Sequence, residues 1–475
     1  MSICFLIDSV PLSEECPAGR FARLRGACVM RCEDPNALPG QISQPSMFAL
    51  SPSHLQELSC THRSHIANLV GQGATLYVRG LLRGHSTLDL MPFASMKLVI
   101  APEMRAVSYR FTASPMIPAA LADEQVPGVL FEACAPEHLG SSIEQLLVVR
   151  HFDGVERAAI FALRYGKGCV IYDLQNEHEA SADIPIAARL AHRDTLCREI
   201  GALVAANRVA AIESPALPPF NLTIDDRPAN FDHFNVETIS SLLRHIDHLC
   251  PGAHTDFAWT PRHSSPCRGY IEAMKKFSVG YVWHGLYRHV DHRVIAHPAT
   301  ELAKGARMVG RLQHRFGVRF QPIMIFPFER SAPDQFPLLV RAGFIAAAEE
   351  PRPTSRLDPS VPGYLAGSVP AHVDGSGLTV LYRHQAAALT RERMLAMAAL
   401  SLPIVAFAHP DEVGLKRLSG FWDRGGSVSH FDEVLKFASS KRLPSRSLED
   451  IAIEVRRTQG IEAHTIQAMQ AAGGA

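Results

Sequence analysis

The stretch L-T-I-D-D-R-P (residues 222–228) is an apolar run that ends in two adjacent carboxylates, an arginine and a proline. Its β-branched residues predict a strand, and the proline predicts that the chain turns as it leaves. Side chains alternate across a strand, so Asp225 and Asp226 point in different directions. One can bind a metal while the other handles protons. Taken alone, D-D-x-P also reads as a polar turn after a strand, so the surrounding chain has to decide.

Downstream, the pattern predicts a helix over about 236–250, a strand at 254–260, a helix at 271–277 and a strand at 279–284. A long helix at about 299–316, a strand at 321–328, a helix at about 336–342 and an apolar strand within 401–410 follow. Such alternation implies a (β/α) barrel, whose ligand chemistry sits at the carboxyl ends of the strands. The polar residues of interest fall there. V-G-Y-V-W-H-G-L-Y-R-H-V-D-H (279–292) runs a strand into a turn carrying His284, His289 and His292. Neutral imidazoles with one carboxylate suit Zn²⁺ or a similar ion and leave positions open for water and substrate. A chain with 23 histidines also clusters some of them by chance in a solvated turn. I-V-A-F-A-H-P (404–410) ends another apolar strand in His409, a position where a lone histidine is more often structural than catalytic. Trp283, Phe328 and Trp422 are candidates either to stack on a bound ligand or to pack in the core.

The chain upstream, to about 214, also alternates strands and helices. S-H-I-A-N-L-V-G-Q-G-A-T-L-Y-V-R-G (64–80) predicts helix, glycine turn and strand, and 126–133 and 168–174 read as buried strands. Three prolines in I-E-S-P-A-L-P-P-F (212–220) have linker composition. The expected organisation is an α/β domain over 1–214, a barrel over 215–440, and a peripheral helix with a frayed tail over 441–475.

Lys+Arg and Asp+Glu balance at 47 each, so no basic field is present to draw in nucleic acid. The ten cysteines form no C-x-x-C pair and no dense framework, which argues against a zinc ribbon or a disulfide scaffold. The first residues carry no basic leader, and no apolar run reaches the roughly 18 residues of a membrane span. A cytoplasmic location is therefore expected.

Two resemblances add to this reading. The upstream half, through its helix-G-x-L-Y-V-x-G pattern and R-Y-G-K-G-C-V-I-Y-D-L (164–174), resembles the glutamine-amidotransferase-like flavodoxin fold, which implies a parallel-sheet domain. A nucleophile there would be Cys134, near His138; no glycine-flanked elbow surrounds it, so this half reads as non-catalytic. From about 222 to 437 the chain resembles the polysaccharide deacetylase (NodB-homology) superfamily, a deformed (β/α) barrel whose first motif, T-F-D-D-G, is matched by T-I-D-D-R-P. The resemblance implies Asp225 as general base, Asp226, His284 and His289 as ligands of a divalent metal (Zn²⁺, with Co²⁺ or Ni²⁺ as alternatives), and His409 as general acid. F-P-F-E-R (326–330) matches a groove-lining strand end, so Arg227, Phe328, Arg330 and Trp422 are the implied contacts to an N-acetylated carbohydrate. Two departures stand out. Arg227 replaces the motif's glycine, and four residues separate His284 from His289 where the family has three, which leaves His292 open as a substitute for His289. The competing reading is a catalytically degenerate carbohydrate-binding or scaffold protein.

Overall fold

The computed structural model describes residues 2–7, 17–24, 27–32, 34–50, 55, 57–79, 87–90, 94–99, 106–127, 135–136, 143–151, 154–174, 193–209, 217–225, 236–263, 268–329, 332–350, 371–399, 401–409 and 427–458. Internal contacts divide the chain into two units: Met1–Ile184 with Arg189–Ala216, and Pro185–Ala188 with Leu217–Ala475. Among the described residues, no helix is long and apolar enough to cross a membrane.

The first unit contains strands β1 (Ile3–Ile7), β2 (Cys28–Cys32), β3 (Ser46–Leu50), β4 (Thr75–Arg79), β5 (Thr87–Leu90), β6 (Ala94–Val99) and β7 (Ala106–Phe111). It continues with β8 (Gln125–Pro127), β9 (Ala135–Pro136), β10 (Ile143–His151), β11 (Glu156–Tyr165) and β12 (Gly168–Asp173). Helices α1 (Pro17–Leu24), α2 (Cys60–Gln72) and α3 (Arg193–Val209) accompany them. The main sheet runs β2-β1-β3-β4-β12-β11-β10-β7-β8. Its β2-β1-β3-β4-β12 part is parallel, in a doubly wound order. Beyond β12 the pairing is antiparallel, so the sheet is mixed where the resemblance implied a parallel one. The reason is local: in R-Y-G-K-G, Tyr165 pairs with Gly168 across a two-residue turn with Gly166 at φ +58°, which makes a tight hairpin. Cys134, His138 and most of the strand expected at 126–133 lie outside the described residues.

The second unit holds β13 (Phe220–Asp225), β14 (Thr255–Trp259), β15 (Val279–His284), β16 (Phe320–Ile325), β17 (Ala346–Glu349), β18 (Ala371–Val373), β19 (Thr379–Tyr382), β20 (His384–Gln385) and β21 (Ile404–Ala408). Its helices are α4 (Val236–Leu249), α5 (Arg268–Met274), α6 (Pro298–Phe316), α7 (Phe336–Arg341), α8 (Arg391–Ala399), α9 (Ser427–Ser440) and α10 (Leu448–Thr458). The sheet order is β18-β19-β17-β16-β15-β14-β13-β21-β20, parallel apart from β18. β19 pairs with β17 near one end of that order and β20 pairs with β21 at the other, yet only Arg383 separates β19 from β20. The chain itself therefore carries the sheet round into a deformed barrel, as the sequence leads one to expect.

Strand alternation sorts the side chains by face. Ala258, Val282, Ile323, Ile325, Ala346, Ala348, Leu381 and Val405 form one buried cluster with Leu448, Ile451 and Ala452 of α10. The expectation of a peripheral C-terminal helix is thus wrong, because the apolar face of I-A-I-E-V-R-R-T is buried on the barrel strands. The tail from 459 onward lies outside the described residues. Asp256, fully buried at the start of β14, ties this helix down. It accepts from Asn221 Nδ2 (2.8 Å), from the Leu448 amide at the α10 N-terminus (2.9 Å) and from Gln321 Nε2, and it meets His254 Nε2 at 3.0 Å. Gln321 Oε1 accepts from the next amide, Glu449 (3.0 Å), so two of the helix's orphan donors are satisfied. Gly280 leaves the room: a Cβ there would stand 2.0 Å from Asp256 Oδ1 and 2.2 Å from Gln321 Nε2.

Two outcomes follow. Gly280→Ala forces this network apart and should lower stability by about 1–3 kcal/mol in urea unfolding. His384 is held well below the ordinary histidine value, at about 3, by burial and then by the charge of Arg393. Its contribution to stability is therefore complete above the unfolded value of 6.5 and is lost as pH falls below it. Between pH 7 and pH 5 this group alone should remove on the order of 2 kcal/mol. A His384→Gln variant should show a correspondingly flatter pH dependence of its urea midpoint.

Candidate functional site

β13 ends at Asp225, which is 1% exposed, and the side chain of Arg383, 0% exposed, grips it. Nη1 donates to Oδ1 at 2.6 Å and Nη2 to Oδ2 at 2.5 Å, a bidentate arrangement that fixes the plane of the carboxylate. The guanidinium carbon also lies 4.3 Å from the centre of the Phe407 ring. His409, half-buried one residue beyond β21, sets its ring edge-on to Phe407 at 5.8 Å. Register pairs Ile224 with Ala408, so Asp225 and His409 follow at the same level on adjacent strands. Asp225 and Phe407 thus hold Arg383 between them at the carboxyl ends of β13 and β21, with His409 beside Phe407.

His284 ends β15, two strands along the sheet. It is 2% exposed, and its ring centre lies 4.8 Å from that of half-buried His289. His289 in turn touches the edge of Phe328, again at 4.8 Å between ring centres. Phe328 is 59% exposed and sits at φ +58°, a left-handed backbone that a bulky side chain rarely adopts. An exposed aromatic ring held by strained backbone beside a histidine pair has the form of a binding platform. His292 is different. It is fully buried, its Nε2 accepts the Leu286 amide at 3.3 Å, and its ring meets Phe326 edge-on at 4.8 Å. Burial, and then the neighbouring His284, push its pKa down to about 4.

No family model matches this chain, and no curated protein matches it. Among solved structures, the chain is similar to a Mycobacterium smegmatis protein assigned as a polysaccharide deacetylase, at 15% identity over 52% of this chain and 93% of that one, with a TM-score of 0.37. It is also similar to a family 4 carbohydrate esterase from Streptomyces lividans, at 12% identity, covering 49% of this chain and 94% of that one, with a TM-score of 0.31. A cytoplasmic protein of Salmonella typhimurium matches at 14% identity over 45% of this chain and 99% of that one, with a TM-score of 0.30. Likeness this distant carries no inference about activity, so the site has to be argued from its own geometry.

Asp225, His409, His284, His289 and Phe328 all lie at or just beyond carboxyl ends of the barrel strands: His284 meets His289, which meets Phe328, while Asp225 is held by Arg383 and His409 lies beside Phe407 on the adjacent strand. Asp226, Arg227, Arg330 and Trp422 lie outside the described residues. Trp283 is not a platform: alternation turns it away from the His284 face, and it is buried edge-on against Phe344 at 5.1 Å. Arg383 was missed in the sequence because the strand before it, T-V-L-Y, went unread. The available signal was an arginine following an apolar β-branched run.

Removing one member of a buried pair leaves the other charge uncompensated. Arg383→Met should therefore cost about 3–5 kcal/mol in equilibrium unfolding. Adding Asp225→Asn to it should return part of that loss.

Proposed function

We propose that the barrel is a metal-dependent hydrolase that removes acetyl groups from an N-acetylated amino sugar, oligosaccharide or glycolipid precursor. The observation that carries this reading is the contact of His284 with His289 at a barrel strand end, with the Asp225–Arg383 pair and His409 at two neighbouring ends of the same parallel sheet.

The donor set fits a divalent ion once a third ligand is added. His284 buries both ring nitrogens, and its ring lies 4.8 Å from that of His289, so the two imidazoles would supply neutral nitrogen donors to a divalent ion. Among the described residues, no group of three His, Cys, Asp or Glu side chains is placed to hold a metal. In this reading Asp226, directly after β13, is the third ligand. A bound Zn²⁺, or Co²⁺ or Ni²⁺ in its place, supplies a Lewis acid for the acetyl carbonyl and a water acidic enough to act near neutral pH.

The remaining roles belong to the chain. Arg383 engages one lone pair on each oxygen of Asp225, and each oxygen retains another. The carboxylate thus still accepts the proton released as water adds to the amide carbon. His409 delivers a proton to the nitrogen as the C–N bond breaks, giving acetate and the free amine. Phe328 offers an exposed face for a sugar ring, and in this reading Arg227, Arg330 and Trp422 are the further contacts to the substrate.

Elemental analysis of the purified protein beside Asp226→Ala and His284→Ala tests the reading. One divalent ion per chain is expected in the wild type and none in either variant, together with acetate release from N-acetylated oligosaccharides by the wild type alone. A wild type that binds no ion after incubation with Zn²⁺, Co²⁺ and Ni²⁺ would favour the carbohydrate-binding or scaffold reading instead.

A further inference from the structure

The residues from Gly285 to His292 form a closed loop. Its first amide, that of Gly285, donates to Ile325 O at 2.9 Å, and Gly285 adopts φ +81°. A Cβ there would come 2.7 Å from Arg288 O, so the fold-back needs glycine. Next, Leu286 O passes so close to α6 that a Cβ on Gly305 would meet it at 1.8 Å. The far end is held as firmly. Gln335 Nε2 donates to His292 O at 2.9 Å, and Asp291 accepts the Arg293 amide at 3.0 Å. The two ends are joined by the Leu286 amide, which donates to His292 Nε2 at 3.3 Å. His289 is carried between these anchors, with Arg288 fastened by its Nε to Glu301 of α6 at 3.0 Å.

We propose that His292 is a positioning residue: its buried ring closes the loop and so returns His289 to the side of His284. An Nε2 that accepts a backbone N–H is not available to an ion, so His292 serves the pair without joining it. This rests on the reading of His284 and His289 as metal ligands. It also accounts for the long spacing between them: the extra residue is absorbed by a loop that His292 staples shut.

The test uses the full chain, Co²⁺ as probe, and two substitutions. In His292→Gln a side-chain oxygen can accept where Nε2 did; in His292→Leu nothing can. Co²⁺ affinity and visible absorption should be close to wild type in His292→Gln. In His292→Leu, affinity should fall about 10- to 100-fold, as when a supporting group behind a metal ligand is lost, with an altered absorption band. Binding should be abolished in His289→Ala. Hydrogen exchange at the Leu286 amide should be about tenfold or more faster in His292→Leu than in His292→Gln. Wild-type affinity and spectrum in His292→Leu would overturn the proposal, as would a His289→Ala protein that still binds Co²⁺ while His292→Leu does not. If the wild type takes up no Co²⁺, the ligand reading itself falls. The exchange rates then decide the loop claim alone: equal rates overturn it, and faster exchange in His292→Leu upholds it.

Discussion

The barrel depends on one buried ion pair. Arg383 is the single residue between β19 and β20, which pair with opposite ends of the open sheet order, and its side chain reaches across to the end of β13. Two charges withdrawn from water are costly unless each finds the other in good geometry. Here both oxygens of Asp225 and both terminal nitrogens of Arg383 are engaged, with Phe407 covering the guanidinium face. Only a register that brings these groups together satisfies both, so the pair selects one way of closing the sheet. The same contact fixes the orientation of the carboxylate at the mouth of the barrel, which makes closure and site geometry a single event.

The opposite end is organised by another buried carboxylate, with a different purpose. Asp256 is surrounded by donors from three strands' side chains or their flanks and from the first turn of α10. It leaves no room for chemistry and holds the floor of the barrel. Polar residues on the inward face of β13 thus serve both ends: Asn221 belongs to the floor and Asp225 to the mouth, with Thr223 between them donating to Asn221 Oδ1 at 3.0 Å.

Much of this was legible from residue pattern. β13, β14, β15 and β21 announce themselves through β-branched, aromatic runs that end in polar residues, and α4 and α6 through amphipathic spacing. β17 and β19 were not legible. A-A-A-E is a four-residue run whose alanines favour helix, and in a strand buried on both faces the alternation disappears. Missing β19 hid Arg383, whose partner lies 158 residues away. The histidine cluster could be found but not sorted, since spacing does not tell a ring turned toward His284 from one turned into the core. For α10, amphipathicity revealed an apolar face without revealing that barrel strands cover it.

The floor of the barrel also bears on how the chain is made. Phe220 begins the first barrel strand, and its amide donates to Pro444 O while its carbonyl accepts from Arg446. Asn221 donates to Arg446 O, 225 residues further on. During synthesis at about 5–20 residues per second, β13 leaves the ribosome long before its partners β21 and α10 exist. Its apolar edge must stay unpaired for on the order of ten seconds or more at that rate, a window in which a nascent chain is open to aggregation and to chaperone capture. The late-arriving helix thereby makes sealing of the floor a late step in the assembly of this unit.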